Sequence, residues 1–181
     1  MKFQNKPHLL ILAIVVLYVS PAQSSDDQVE FLGDYFNVKS ATGEHCEGYD
    51  VMIWKYKGSL IGFLNHHRGL CGDPPMGVME QTSYSAQTGS LSFKVKLSDG
   101  CTFIANKCIP TRDKIEFKGN LRGEILEGVV TWFRDGKLES TDSENVILPK
   151  NPKRSGTQNY RNYTDWMKYW EPILKRHGPQ W

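Results

Sequence analysis

"CEGYDVMIWKYKGSLIGFLNHHRGLC", residues 46–71, reads as one long hairpin. Aromatic and β-branched residues fill both arms, and a glycine sits near the midpoint. A two-residue turn centred on Gly58-Ser59 suits a type II′ hairpin, which takes glycine at its first central position. Tyr56 then faces Ile61, Trp54 faces Phe63 and Met52 faces Asn65, one mostly apolar face. Val51, Ile53, Lys55, Leu60 and Leu64 lie on the other face, which is also partly apolar. Counted outward, this register sets Cys46 opposite Cys71 and predicts a disulfide across the open end.

Two further stretches share the pattern. In "LRGEILEG", residues 121–128, a turn on Gly123-Glu124 sets Leu121 against Leu126, Gly119 against Gly128, Phe117 against Val130 and Ile115 against Trp132. Facing glycines inside strands mark sharp coiling. After "AQTGSLSF", residues 86–93, Leu91, Phe93, Val95 and Leu97 share one face, with Lys94 and Lys96 on the other. Cys101 and Cys108 are close in sequence and are read as a second bridge across a short loop or hairpin. From Phe31 to about Leu148, segments rich in Val, Ile, Tyr, Phe and Trp are cut by glycine-containing turns. That is the all-β signature. The expectation is an antiparallel meander of about eight strands closing into a small barrel, with a β-sandwich as the alternative.

The first residues read as an export signal. Lys2 and Lys6 form a basic start, Leu9–Val19 is an uncharged apolar run, and Ser20, Ala22 and Ser24 offer small residues for cleavage. Residues 1–24 are assigned as signal peptide, 25–149 as the barrel domain and 150–181 as linker and C-terminal helix. The whole chain has 22 Lys and Arg against 20 Asp and Glu, and loss of the two signal lysines leaves it near neutral. A near-neutral exported chain gives nucleic-acid binding no support. Four cysteines in an oxidising compartment favour two disulfides over a zinc–thiolate site. No cofactor is expected.

The tail changes character after Leu148. "PKNPKRSGTQNYRN" is a polar linker, and "TDWMKYWEPILKRHG" is helical. Thr164 is read as the cap, with Asp165 in the first turn. Trp166, Tyr169, Trp170, Ile173 and Leu174 fall on one face, Pro172 kinks or divides the helix, and Gly178 stops it. Residues 150–181 hold seven Lys/Arg against two Asp/Glu, whereas residues 25–149 hold 13 against 18. A basic aromatic helix can pack on its own acidic barrel, engage a partner, or lie on an anionic membrane as a peripheral contact.

Gly33-Asp34-Tyr35, opening the first strand, is similar to the Gly-x-Trp start of lipocalins, with tyrosine in place of tryptophan. At this level the chain resembles the lipocalin-like barrels of exported proteins. The resemblance implies a small closed barrel, covers that region alone and carries over no functional residue.

For chemistry, "NHHRGLCGDPP", residues 65–75, gathers metal-ligand residue types. Adjacent strand residues point to opposite faces, so His66 and His67 do not converge on one ion, and a bridged Cys71 is no ligand. The residual metal or enzyme reading lies near His66 and His67, with His45 and His67 converging at the stapled end as a two-histidine site. No nucleophile elbow, phosphate loop or His-Glu-x-x-His is present, and Glu80, Glu116 and Glu127 are scattered carboxylates. No catalytic or metal residue is assigned. The leading expectation is an exported, non-enzymatic protein-binding module of inhibitor or immunity type, blocking a hydrolase in the same compartment. His66, His67, Arg68, Asp73, Trp166, Tyr169 and Trp170 are its candidate contacts. The alternative is a carrier of a small apolar ligand, with Trp54, Phe63, Phe93, Phe117 and Trp132 lining the cavity.

Overall fold

The computed structural model describes residues 27–40, 43–72, 74–134, 137–154, 159–179 and 181. The assigned signal segment, 1–24, and Asp73 lie outside these. The strands are β1 (Glu30–Phe36), β2 (Lys39–Ser40), β3 (His45–Tyr56), β4 (Ser59–Leu70), β5 (Met76–Val78), β6 (Glu80–Tyr84), β7 (Ser90–Leu97), β8 (Cys101–Ile104), β9 (Lys107–Pro110), β10 (Asp113–Arg122), β11 (Ile125–Arg134) and β12 (Lys137–Pro149). One helix, α1 (Tyr163–His177), follows.

The strands form two five-stranded sheets and one ribbon. The first sheet runs β1-β3-β4-β5, with β2 beside β3. The second runs β12-β11-β10-β7-β6, and β8 pairs only with β9. Neither sheet closes on itself. At one seam Tyr35 forms an isolated bridge with Lys150, and the Asn151 N–H donates to Asp34 O at 2.7 Å. At the other, β5 and β6 are nearly continuous around Met79, whose N–H donates to Gly62 O at 2.9 Å. The Thr82 hydroxyl donates to Leu60 O at 2.9 Å.

The β3–β4 turn corrects the expected register. Lys57 (φ 49°) and Gly58 (φ 78°) are both left-handed, as a type I′ turn requires. Tyr56 therefore pairs with Ser59, Trp54 with Ile61 and Met52 with Phe63. A type I′ turn matches the right-handed twist of the strands, which outweighs the roughly 1–2 kcal/mol of placing lysine in the left-handed region. The slip is two residues, so every side chain keeps its expected face; a slip of one would have inverted them. Gly69 now sits opposite Cys46, yet Cys46 and Cys71 are bridged, with Cα atoms 4.9 Å apart. Cys101 and Cys108 form the second bridge. The β10–β11 register is the expected one, pair for pair, from Leu121–Leu126 to Ile115–Trp132.

The main core lies between the sheets. Val51, Ile53 and Leu64 meet Phe93, Ile115, Phe117, Leu126 and Leu148, all essentially without solvent exposure. Gly119 and Gly128 face each other where β10 and β11 pass closest. A Cβ on Gly119 would lie 2.1 Å from Glu127 O, so only glycine fits. The second core is outside the first sheet. Met52, Trp54 and Phe63 meet Trp166 and Trp170 of α1. Thus β3 and β4 are buried on both faces, which explains their apolar residues on both. The helix cap is Asn162 rather than Thr164. Its side chain accepts the Asp165 N–H at 2.9 Å, whereas Thr164 is already inside the helix. Pro172 does not divide α1, and Gly178 ends it with an N–H to Leu174 O at 2.7 Å.

Candidate functional site

A cleft of about 700 Å³ opens at the end of the first sheet that carries the Cys46–Cys71 bridge, bordered by strands of both sheets. Its floor is His66 on β4, Tyr49 on β3 and Trp132 on β11. Tyr49 is fixed by Gly48, whose φ of 126° bends β3 where any larger residue would strike Asn37. The side chain of Asn37 accepts the Tyr49 N–H at 2.8 Å. The Tyr49 hydroxyl donates to Glu144 Oε1 and accepts from Trp132 Nε1 at 2.9 Å. Burial, followed by the hydrogen bond to the Glu144 carboxylate, pushes the Tyr49 pKa well up, so it remains a neutral phenol.

His66 is 8 % exposed. Its Nδ1 lies 2.9 Å from Asp99 Oδ2, and its ring packs on Tyr49 (centroids 5.1 Å apart) and edge-on to Trp132 (4.5 Å). His67 borders the cleft from the other face of β4. Burial pulls its pKa below the ordinary 6.5, with Asp50 opposing the shift and His66 adding to it. Both of its ring nitrogens are buried without a partner among the described residues. Arg68 lies on the exposed rim beside Glu47 and Lys39, which neighbour one another across β4, β3 and β2.

The β8–β9 ribbon is rooted at this cleft. Asp99 precedes it and holds His66. Asp113 follows it, fully buried, and accepts from Arg134 Nε (3.3 Å), Thr111 Oγ1 (2.5 Å) and Asp99 N–H (3.2 Å). These bonds are what permit a carboxylate to be buried at all. Ala105 (φ 48°) and Asn106 (φ 63°) make a two-residue turn at the tip. Phe103 shares a face with Cys108, whereas Thr102 pairs with Ile109 and Ile104 with Lys107 on the other. Phe103 is 74 % exposed, Ile104 60 % and Ile109 45 %. Apolar side chains thus stand in water on both faces of a disulfide-closed hairpin.

The expected contact residues are divided. His66, His67 and Arg68 come together at the cleft, on strand β4 rather than on a loop. Trp166 and Trp170 are buried against the first sheet, and only Tyr169 of the helical trio is exposed. Trp54, Phe63, Phe93, Phe117 and Trp132 do not line one cavity. Trp54 and Phe63 lie under α1, Phe93 and Phe117 stack between the sheets at 5.0 Å, and Trp132 borders the cleft. His45 pairs with Leu70 and His67 with Gly48, three rungs apart. Among the described residues no group of three His, Cys, Asp or Glu could hold a metal ion. Glu80, Glu116 and Glu127 sit in surface ion pairs with Lys96, Lys94 and Arg122, away from the cleft. Sequence reasoning missed Tyr49, Asp99, Asp113, Arg134 and Glu144, and the exposed pair Phe103-Ile104. The one available signal was an aspartate just outside each end of the Cys101–Cys108 segment.

No known family, curated protein or solved structure matches the chain.

Proposed function

We propose that this chain is an exported, periplasmic or secreted binding module that docks another protein through the β8–β9 hairpin, in the manner of an inhibitor or immunity protein that blocks a hydrolase of the same compartment. One observation carries this reading: three large apolar side chains exposed on both faces of a stapled hairpin. Phe103 stands on one face and Ile104 with Ile109 on the other, so the hairpin offers apolar side chains to a partner that grips it from both sides. The bridge and the two rooted aspartates hold the hairpin in shape, which limits the entropy lost on docking. Residues 1–24 supply the export signal, and the two disulfides suit an oxidising compartment. No described helix is long and apolar enough to cross a membrane.

We also infer that the two sheets act as one barrel. Counting β5–β6 as one strand, the circuit β1, β3, β4, β5–β6, β7, β10, β11, β12 has eight members, with the Tyr35–Lys150 bridge as its last seam. Slow hydrogen exchange at the Asn151 amide, which donates across this seam to Asp34 O, supports closure; exchange at the rate of an open edge refutes it.

The docking reading is tested with a photo-crosslinking residue at Phe103, expressed in the native host. A single adduct of protein mass is expected, lost when Ile104→Asp is added. Adducts that are absent, lipid alone, or the same as those from a crosslinker at Lys118 on β10 count against it.

A further inference from the structure

We propose that the cleft floored by His66 and Tyr49 is a second site, and that it binds a short neutral saccharide through a ligand hydroxyl donated to His66 Nε2. A neutral imidazole has one donor and one acceptor nitrogen. Nδ1 lies 2.9 Å from the Asp99 carboxylate, an acceptor, so Nδ1 carries the proton. Nε2 is left as an acceptor, and among the described residues nothing donates to it. The group that completes it must be a donor, such as a hydroxyl.

The Tyr49 phenol already donates to Glu144 and accepts from the Trp132 indole N–H, so its hydrogen bonds are made internally. The half-buried Trp132 keeps its ring to offer as an apolar wall. A sugar ring, with a C–H face and a hydroxyl edge, suits such a pairing of wall and acceptor.

Lys39, Glu47 and Arg68 alternate in sign across three adjacent strands, and Arg134 and Glu144 add one of each. A phosphate or organic acid calls for walls of a single sign, and an apolar ligand would desolvate all five. A polyhydroxylated neutral ligand can use donors and acceptors together. A volume of about 700 Å³ accommodates two or three sugar rings.

The test uses the mature full chain, a glycan array, and calorimetric titration with chitotriose, cellotriose and maltotriose, with citrate and ATP as charged probes. Imidazole ¹⁵N spectra report the His66 tautomer. At least one neutral oligosaccharide is expected to bind, shifting the Nε2 resonance while Nδ1 stays protonated. His66→Asn keeps a donor near the Nδ1 position for Asp99 but lacks Nε2, and is expected to weaken binding about tenfold with the fold intact. Trp132→Leu provides a second weakened variant should His66→Asn unfold. Phe103→Asp, which disables the hairpin, is expected to leave saccharide affinity unchanged, so this site and the docking reading fail separately. Binding of no neutral glycan, binding of the charged probes alone, or full affinity in a folded His66→Asn or Trp132→Leu variant overturns the proposal.

Discussion

Replacing Trp166 tests whether α1 is a structural layer or a loosely held tail. The indole stacks on Phe63 at 5.0 Å and 7°, meets Trp54 edge-on at 5.8 Å, and is 1 % exposed. Burying an aromatic side chain of roughly 200 Å² at about 25 cal/mol per Å² favours folding by about 5 kcal/mol. Among the described residues the buried indole N–H has no hydrogen-bond partner, which offsets about 1–3 kcal/mol of that. Trp166→Ala leaves a cavity between α1 and the sheet, so a net loss of about 3–5 kcal/mol is expected. Trp166→Phe keeps the stacking and removes the unpaired N–H, so it should lose less than about 1.5 kcal/mol. Guanidinium denaturation followed by tryptophan fluorescence and circular dichroism measures both. With a slope of about 4 kcal/mol per molar, the alanine variant's midpoint falls by about 1 M. A loss under 1 kcal/mol for Trp166→Ala would mean that α1 does not cover the sheet in solution. Equal losses for alanine and phenylalanine would mean that the N–H has a partner after all.

Other outcomes follow from the same geometry. Gly119→Ala forces a Cβ to within 2.1 Å of Glu127 O and should destabilise by about 1–3 kcal/mol, whereas Gly72→Ala, whose Cβ would meet nothing within 4 Å among the described residues beyond its chain neighbours, should be neutral in the same melts. His67 resists protonation when folded, so the unfolded chain binds the extra proton. Stability should be unaffected by His67 above pH 6.5 and fall as pH drops below it, by at most about 1.4 kcal/mol per pH unit from this group, until the lower folded value is reached. Urea titrations from pH 7.5 to 5 should show a shallower decline in His67→Phe, and an identical decline would show that the ring is solvated. Removing the Cys46–Cys71 bridge by a double serine substitution opens a loop of 25-residue separation and should lower stability by about 3.5 kcal/mol. Removing Cys101–Cys108 should leave the global melt nearly unchanged, because β8–β9 stands outside both cores, while raising hydrogen exchange at Phe103 and Ile104.

Much of the fold was legible because hairpin turns are local. Gly123-Glu124 specified ten cross-strand pairs of β10–β11 correctly. The β3–β4 hairpin was harder because "KYKGSL" offers two turn chemistries, Gly-Ser as type II′ and Lys-Gly as type I′. Spacing alone cannot weigh a lysine at positive φ against strand twist. The alternation of apolar residues survived the error because faces depend on parity, and the slip was even. Apolar residues on both faces of that hairpin were visible from the start. They carried the further message that something must cover the second face, and the aromatic stripe of α1 is what covers it.

The cleft was far less legible, for a reason that lies in chain topology. Tyr49 meets Trp132 across 83 residues and Glu144 across 95, and His66 meets Asp99 across 33. A hairpin turn sets register between two neighbouring strands but says nothing about which strand end of one sheet comes to rest beside which of the other. His66, His67 and Arg68 could be singled out because they are adjacent in sequence, and strand alternation set His66 and His67 on opposite faces from the start. Parity sends His66 inward to Asp99 and His67 outward to the face of Asp50 and Asn65. What makes His66 a candidate binding group is the distant aspartate that orients it. That aspartate in turn matters because it roots the hairpin carrying Phe103 and Ile104. One hydrogen-bonded contact therefore couples the two surfaces that face solvent at this end of the molecule, and substitutions at Asp99 should disturb both saccharide affinity and hairpin order. A substitution that disturbed only one would show that the pair is a local tie rather than a shared support.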